Sequence, residues 1–202
     1  MVDITQQELR ASVQDLHSQA EKTKLSQDLI NGSIDAQIYK NMCYQMWLIT
    51  DAIEGHLTRM DPQITRRHQF VQDIAECPAG TVNVCPSTKE YVTYIREMYF
   101  PFATGQLRGV LYTFYLGWLY GGQMIAKKLT LPKHHLEFTN VKWCVDYMRN
   151  QILVNLTDRD GDEARRAFET TIQIYRELYE WQGSGCGYGN PTEGKNPATT
   201  PS

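Results

Sequence analysis

A histidine near the start of the chain has the residue type and position of a metal ligand. His17 follows Val13 by four residues and Leu9 by eight, so it lies at the edge of the apolar face of a predicted amphipathic helix. A neutral imidazole is a common metal ligand, and a helix would hold it rigidly. Histidines at such positions also occur as hydrogen-bonded core residues. The local pattern leaves both interpretations open.

A row of glycines in the middle of the chain indicates a helix whose backbone must approach another surface closely. Gly105, Gly109, Gly117 and Gly121 are separated by multiples of four, and residues four apart share one side of a helix. Gly122 widens this row. Each interior glycine costs a helix about 1 kcal/mol relative to alanine, so a contact that needs bare backbone must offset it. Either another helix or a flat ligand would provide that contact.

Two segments resemble the haem oxygenase family. The stretch 115–129, YLGWLYGGQMIAKKL, is similar to the family's distal helix, in which a Tyr-Leu-Gly stretch precedes Gly-Gly-Gln, an apolar pair and two lysines. The stretch 16–25, LHSQAEKTKL, resembles the proximal helix, whose His-x-x-Ala-Glu pattern supplies the axial ligand of haem iron. The resemblance runs in order from Glu8 to Glu180, which is nearly all of the chain that we expect to fold.

The resemblance implies roles for residues at matching positions. His17 would be the axial ligand of the iron, and Gly117 and Gly121 would let the backbone of the distal helix lie over the haem plane. The other matched positions pair with the haem propionates or line the pocket: Arg10, Tyr112, Lys142 and Phe168. For the two basic residues, an ordinary solvated charge is the alternative interpretation.

The distal segment departs from the family at a residue with a chemical role. An aspartate that anchors a proton-delivering water network is replaced here by Trp118, and a serine two residues later by Tyr120. An indole donates one hydrogen bond but cannot accept one, so Trp118 cannot anchor that network in the same way. The second helix reaches the distal side in this family, so Asp51 is a candidate catalytic replacement. Thr50 and the Tyr120 hydroxyl are the other candidate acceptors.

The resemblance therefore implies an enzyme that binds haem b as both cofactor and substrate. It would use dioxygen, and electrons from a ferredoxin or a flavoprotein reductase, to give biliverdin, carbon monoxide and ferrous iron. Lys127, Lys128 and Lys133 are candidate docking charges for an acidic electron donor. The alternative, which Trp118 favours, is a haem-binding protein on the same fold without oxygenase activity, used for storage, sensing or peroxidase-like reactions.

Other chemistries on a helical fold receive less support from the sequence. A carboxylate-bridged di-iron site needs Glu-x-x-His motifs, and no histidine here follows Asp or Glu by three residues. A thiamin-degrading enzyme needs a nucleophilic cysteine, for which Cys43 and Cys144 are candidates without a visible activating group. His134 and His135 are adjacent in a predicted loop, and surface placement is expected because neighbours rarely point the same way.

Composition limits the class of protein. A formal charge of -3 argues against nucleic-acid binding. The sequence lacks an apolar run of 18 residues and begins with a polar segment, which predicts a cytoplasmic protein without membrane attachment. Five cysteines, an odd number without a CxxC pair, indicate neither a zinc knuckle nor a disulfide framework. We expect a monomer.

The periodicity and the resemblance together predict an all-α, single-domain, haem-oxygenase-like helical bundle over residues 1–182. Residues 183–202, rich in Gly, Pro, Ser and Thr, are predicted to be a disordered tail. Haem would lie between the first helix and a glycine-rich distal helix with a kink. No strand is expected. The predicted helical segments, caps and turns are a first helix from Gln6 to about Ile30, a Ser33 N-cap, a second helix ending near Gly55, a Ser87–Glu90 capping box, a Pro101 kink or stop, a helix from Val141 to Leu153, a turn at Asp158–Gly161 and a last helix from about Asp162 to Trp181.

Overall fold

The computed structural model describes residues 1–57, 60–98 and 107–183, and these ranges are mostly helical, which confirms the all-α prediction. Gly105, Pro101 and the predicted tail beyond 183 lie outside the described residues. The helices are α1 (Gln6–Ser12), α2 (Gln14–Glu21), α3 (Lys24–Asn31), α4 (Ala36–Glu54), α5 (Arg67–Glu76), α6 (Pro86–Met98), α7 (Arg108–Ala126), a 3₁₀ helix (His134–Leu136), α8 (Val141–Tyr147), a π-helix (Met148–Ile152) and α9 (Asp158–Gly183).

The single first helix expected from the apolar periodicity is wrong, because three short helices replace it. Thr5 begins α1 with a capping box, in which its side chain accepts from the Glu8 amide and the Glu8 carboxylate accepts from the Thr5 amide. The hydroxyl of Thr23 accepts a hydrogen bond from the Ser26 amide and so begins α3. The apolar spacing continues through these breaks since the short helices keep facing the same neighbour, α9.

Two predicted helix starts are also corrected. Gly32 ends α3 in the left-handed conformation with φ of 71°, as predicted, but the cap of α4 is Asp35, whose carboxylate accepts from two amides of the first turn. Helix α6 begins at Pro86. Ser87 therefore lies inside it, and its hydroxyl donates to a carboxylate oxygen of Glu177 at 2.5 Å.

Helix α9 begins earlier than predicted, where the sequence suggested a turn. The carboxylate of Asp160 accepts hydrogen bonds from the amide and the hydroxyl of Thr157, at 2.8 and 3.0 Å, which organises the first turn of α9. Just before this turn, Leu156–Thr157 pairs antiparallel with Asp3–Ile4. The expectation of no strand is therefore wrong for these two dipeptides.

The core lies between α4, α7 and α9. Helix α7 packs along α9, while α4 packs on α5, α6 and α9, and the largest fully buried side chains include Tyr39, Phe70 and Tyr115. Helix α7 is one uninterrupted α-helix from Arg108 to Ala126, and the kink proposed for it stays a prediction. Among the described residues, no helix has the length and apolar character needed to cross a lipid bilayer.

Candidate functional site

A cavity lined mainly by apolar side chains opens between the N-terminal helices and the two long helices α7 and α9. Its wall also includes α4 and the 3₁₀ helix, so residues far apart in the sequence meet around it. The lining residues include His17 and Glu21 on α2, Tyr39 on α4, Gly117, Trp118 and Gly121 on α7, His135 on the 3₁₀ helix, and Phe168 on α9.

His17 lies in this wall and not in the core. Half of its side chain is exposed, and its Nδ1 is 3.7 Å from the Glu21 carboxylate, one turn further along α2. The ring packs edge-on against Phe168, with the ring centroids 5.8 Å apart. Within the described ranges, no hydrogen bond is made by the other nitrogen, Nε2. The side chain thus has the access that a metal ligand needs.

The glycines of α7 lie in two different environments, one packed against another helix and one open. A Cβ on Gly109 would lie 2.0 Å from the carbonyl oxygen of Asp160, which shows that this glycine permits close packing of α7 on α9. A Cβ on Gly117 or Gly121 would have no atom within 4 Å. These two glycines leave a bare stretch of helix facing the cavity.

Trp118 stands in the cavity wall beside the two bare glycines. Its indole contacts Phe70 edge-on at 5.3 Å between centroids and Tyr115 at 4.9 Å. The Tyr115 hydroxyl, deeper in the core, donates to the Glu54 carboxylate at 2.8 Å. This part of the wall is therefore aromatic, and the indole offers no hydrogen-bond acceptor to the cavity.

Asp51 and Thr50, two of the three acceptors proposed to replace the distal aspartate, are not in the cavity lining. The Asp51 carboxylate forms ion pairs with Arg67 at 3.2 Å and Arg96 at 3.5 Å. The buried Thr50 hydroxyl donates to a main-chain carbonyl one turn back along α4, at 2.6 Å. The Asp51 carboxylate therefore links α4 to α5 and α6, while the Thr50 hydroxyl is satisfied within α4 itself.

Tyr120, the third proposed acceptor, also lies outside the lining, in a basic cluster with Tyr112, Arg10 and Arg149. Burial raises the pKa of Tyr112, and the positive charges of Arg10 and Arg149 act in the opposite direction. The Arg149 guanidinium lies 5.7 Å from the centre of the Tyr120 ring. The predicted residues Arg10 and Tyr112 are thus brought together near one arginine that the sequence reasoning missed.

Lys142 does not line the cavity and is exposed on α8. Arg149 follows Lys142 by seven residues, about two helical turns, and so recurs on a similar face. That spacing is the signal that could have identified Arg149 as the basic residue nearer to Tyr112. Its position is fixed by Gln6, whose amide donates to the Arg149 carbonyl at 2.8 Å.

His135 is the functional candidate that the sequence reasoning placed wrongly on the surface. It is only 4% exposed and lines the cavity. Its Nδ1 lies 2.5 Å from a carboxylate oxygen of the fully buried Asp73, and its ring stacks on Phe70 with centroids 4.3 Å apart. His134, by contrast, is partly exposed, and its hydrogen bond to Glu76 raises its pKa.

The two candidate nucleophilic cysteines are buried, and burial raises the pKa of both thiols. A raised pKa disfavours the thiolate, which is the reactive form. Cys43 has another property, since its sulfur lies within 4.8 Å of ligand atoms of Asp73 and His135. These three residues have the types that bind metal ions.

Comparisons with known proteins agree on one family. A family model described as "Heme oxygenase" matches residues 4–177. A curated "Heme oxygenase" from Rhodella violacea is 25% identical in an alignment of 202 positions that covers 85% of this chain and 85% of that one. The crystal structure of heme oxygenase-1 from Synechocystis, in complex with heme, superposes with a TM-score of 0.74 at 20% identity, covering 88% of this chain and 95% of that one. The crystal structure of heme oxygenase-2 from Synechocystis, in complex with heme and NO, superposes with a TM-score of 0.76 at 18% identity, covering 90% of this chain and 87% of that one.

Proposed function

The chain belongs to the haem oxygenase family, and on that premise we propose that it cleaves haem b to biliverdin, carbon monoxide and ferrous iron. Haem is both cofactor and substrate in this proposal, and dioxygen and electrons are the co-reactants. The observation that carries it is the pairing in one cavity of an accessible imidazole, His17, with the bare backbone at Gly117 and Gly121.

The chemistry of the lining fits haem. His17 would ligate the iron through its unpaired nitrogen, and the glycines would let α7 lie against the macrocycle without side chains between them. Phe168, already packed on the His17 ring, would hold that imidazole in position. When bound, haem supplies the iron at which dioxygen is activated, together with the carbon skeleton that is cleaved.

The basic cluster outside the lining has the side chains needed to bind the haem carboxylates. Arg10 and Arg149 come from α1 and the π-helix, and with Tyr112 they provide two guanidinium groups and one hydroxyl donor. Guanidinium groups bind carboxylates through paired hydrogen bonds. We assign the propionates to this cluster and not to Lys142.

Electrons would come from a ferredoxin or a flavoprotein reductase that docks near the end of α7. Lys127 and Lys128 are exposed there and remain candidate docking charges. Lys133 is removed from that set, because its ammonium group donates to the main-chain carbonyls of Ala126 and Leu129, at 2.6 and 2.9 Å. It caps the end of α7 instead.

The experiment that tests the proposal is an optical titration with hemin followed by reduction in air. A Soret band that appears with one equivalent of hemin, and then decays into the broad red absorption of a bilin after ascorbate or a ferredoxin system is added, supports the oxygenase. A Soret band that persists supports the alternative, a haem-binding protein without turnover, which Trp118 favours. Failure to form any band contradicts both.

Filling the bare stretch of α7 with a large side chain is expected to weaken haem binding without destabilising the fold. In Gly121→Leu, the side chain would extend into open cavity space, so we expect a hemin affinity lower by about tenfold or more, the equivalent of about 1.4 kcal/mol. The protein itself should be more stable by up to about 1 kcal/mol, because leucine is the better helix former. Hemin titration and urea unfolding measure the two effects.

Gly121→Ala is the matched control for that substitution. Its methyl group meets no atom within 4 Å, so it should gain similar stability and retain most of the hemin affinity. Equal hemin binding by the alanine and leucine variants would contradict a ligand lying against this face.

The expectation of a cytoplasmic monomer, and the division into a domain of residues 1–182 and a tail, stay predictions.

A further inference from the structure

The cavity contains a second histidine whose orientation is fixed by a carboxylate. Asp73 accepts hydrogen bonds from the main-chain amides of His134 and His135, at 2.6 and 3.1 Å, in addition to its contact with the His135 ring. A carboxylate with these donors is an acceptor, so Nδ1 of His135 carries the hydrogen in the ring contact. The opposite nitrogen, Nε2, then has a free lone pair when the imidazole is neutral.

Within the described residues, Nε2 of His135 makes no hydrogen bond, and the residue lines the cavity. A ring nitrogen without a protein partner, on a residue of a cavity wall, is available to bind water or a ligand. The imidazole is also held rigidly, since Phe70 stacks on one face of the ring and Asp73 fixes one edge. This nitrogen is therefore a preorganised acceptor on a residue of the cavity wall.

The same structural unit contacts the helix that provides the bare glycines. A Cβ on Gly122 would lie 2.7 Å from Cδ2 of Leu136, the residue after His135, and the Gln123 amide donates to the Leu136 carbonyl at 2.8 Å. Phe70, on which His135 stacks, also contacts Trp118. His135 is thus placed beside the part of α7 in which Trp118 offers no acceptor.

The other polar side chains of the lining are less suited to this role. The Tyr39 hydroxyl donates to the Pro132 carbonyl at 2.5 Å, and the Thr113 hydroxyl donates to main-chain carbonyls of α7 and α9. Glu21 lies on α2 beside His17. Of the residues that the structure describes in this wall, His135 alone combines a buried carboxylate partner with an open ring nitrogen.

We propose that Nε2 of His135, oriented by Asp73, accepts a hydrogen bond from a water molecule inside the haem cavity and so provides the acceptor that Trp118 cannot provide. This inference rests on the proposed function, because it assigns a role toward bound haem. Asp73 acts as a positioning residue, since its carboxylate accepts hydrogen bonds from the imidazole and from two amides of the turn around it. A side chain from another element of the fold would thus hold the water that the oxygen chemistry requires.

The first test uses the protein without haem and does not depend on activity. In ¹⁵N-labelled protein, long-range nitrogen–proton correlations distinguish a protonated from an unprotonated ring nitrogen. We expect His135 to carry hydrogen on Nδ1 and none on Nε2. A hydrogen on Nε2, with or without one on Nδ1, would overturn the proposal, whether or not the protein binds haem.

The second test uses His135→Phe, which keeps an aromatic ring against Phe70 and removes both nitrogens. We expect the Soret band and the hemin affinity to be retained, because His17 is intact. The CO stretching frequency of the reduced complex should shift, and bilin formation should slow by about tenfold, the effect of one lost hydrogen bond of ordinary strength. His135→Gln, whose amide reaches a similar distance, should restore part of the rate.

His134→Phe is the matched control, since this neighbour pairs with Glu76 at the surface and does not line the cavity. It should leave the CO frequency and the bilin rate unchanged. A His135→Phe protein that matches the wild type in both readings would overturn the proposal, and if that variant fails to fold, the NMR measurement on the wild type decides.

Metal analysis tests a competing role for the same residues. Stoichiometric zinc in the purified protein, lost in both His135→Gln and Cys43→Ser, would assign the cluster of Cys43, Asp73 and His135 to metal binding and overturn the proposal. Absence of zinc together with a bare Nε2 supports it. If the wild type takes up no hemin at all, the proposed function fails, while the NMR result still reports the state of His135 independently.

Discussion

Replacing His17 with alanine is expected to abolish the normal Soret spectrum of the hemin complex and to lower bilin formation by roughly a hundredfold or more. Loss of a residue that merely supports a metal ligand costs about 10–100-fold in affinity or activity, so loss of the ligand itself should cost no less. The fold should survive, because the side chain is half exposed and alanine is a better helix former than histidine. Hemin titration and single-turnover assays in air measure both effects.

Imidazole rescue makes this prediction specific to ligation. Removing the side chain leaves space beside Phe168, so added imidazole should restore much of the original spectrum of the His17→Ala protein. His68→Ala, which changes an exposed histidine of α5 outside the cavity, is the control and should behave as wild type. A His17→Ala protein with an unchanged spectrum would remove this residue from the site and leave only the fold.

The second large effect concerns stability. Gly109→Ala is expected to lower the free energy of unfolding by about 3 kcal/mol, the upper part of the usual range for overpacking a well-packed core. The added Cβ would lie 2.0 Å from the Asp160 carbonyl oxygen and 2.8 Å from the Ala164 amide nitrogen. Both neighbours are main-chain atoms of α9, so no side-chain rotation can relieve the contact. Urea unfolding measures the change.

Gly117→Ala provides the comparison on the same helix. Its Cβ meets no atom within 4 Å, so the substitution should stabilise the protein by up to about 1 kcal/mol through helix propensity. Similar urea midpoints for Gly109→Ala and Gly117→Ala would show that α7 and α9 do not approach each other as closely as described. Opposite signs would confirm that glycines on one helix serve two different contacts.

These two substitutions also show what sequence reasoning could and could not provide. The spacing of the glycines correctly predicted one helix with a contact-forming face, because periodicity is a local property. It could not tell which glycine meets α9 and which faces open space, since that depends on the partner's backbone. Asp160, the group that contacts Gly109, lies about fifty residues further along the chain.

His135 illustrates the same limit for the site. No pattern near it in the sequence predicts burial, and Asp73, which forms hydrogen bonds with it, is 62 residues away. The family resemblance predicted His17, Gly117, Gly121 and Phe168 as site residues, and all four line the cavity. The first three lie within the two closely matched segments, and Phe168 lies on the last helix. The resemblance did not identify His135, because it gives no counterpart for a residue that compensates for a substitution elsewhere.

The helix ends were the least predictable part of the fold. The apolar spacing before Asn31 is continuous, yet breaks at Val13 and Thr23 divide it into three helices, and the side-chain caps at their starts are Thr5 and Thr23. Such caps depend on single hydrogen bonds from short side chains, whereas periodicity averages over several turns. The start of α9 was misjudged for a related reason, since Asp160 and Gly161 have the composition of a turn but lie within a capped helix.

The packing of α2 against α9 has a consequence for the order of events during synthesis. Arg165 of α9 donates to both carboxylate oxygens of Asp15, close to His17, and Phe168 covers the His17 ring. The strand pairing likewise joins Asp3 to Thr157. On the ribosome, the N-terminal helices therefore emerge long before their partner exists, and contacts between distant segments form late. The cavity wall is completed only when translation has passed α9, so we expect haem to bind only after α9 has been synthesised.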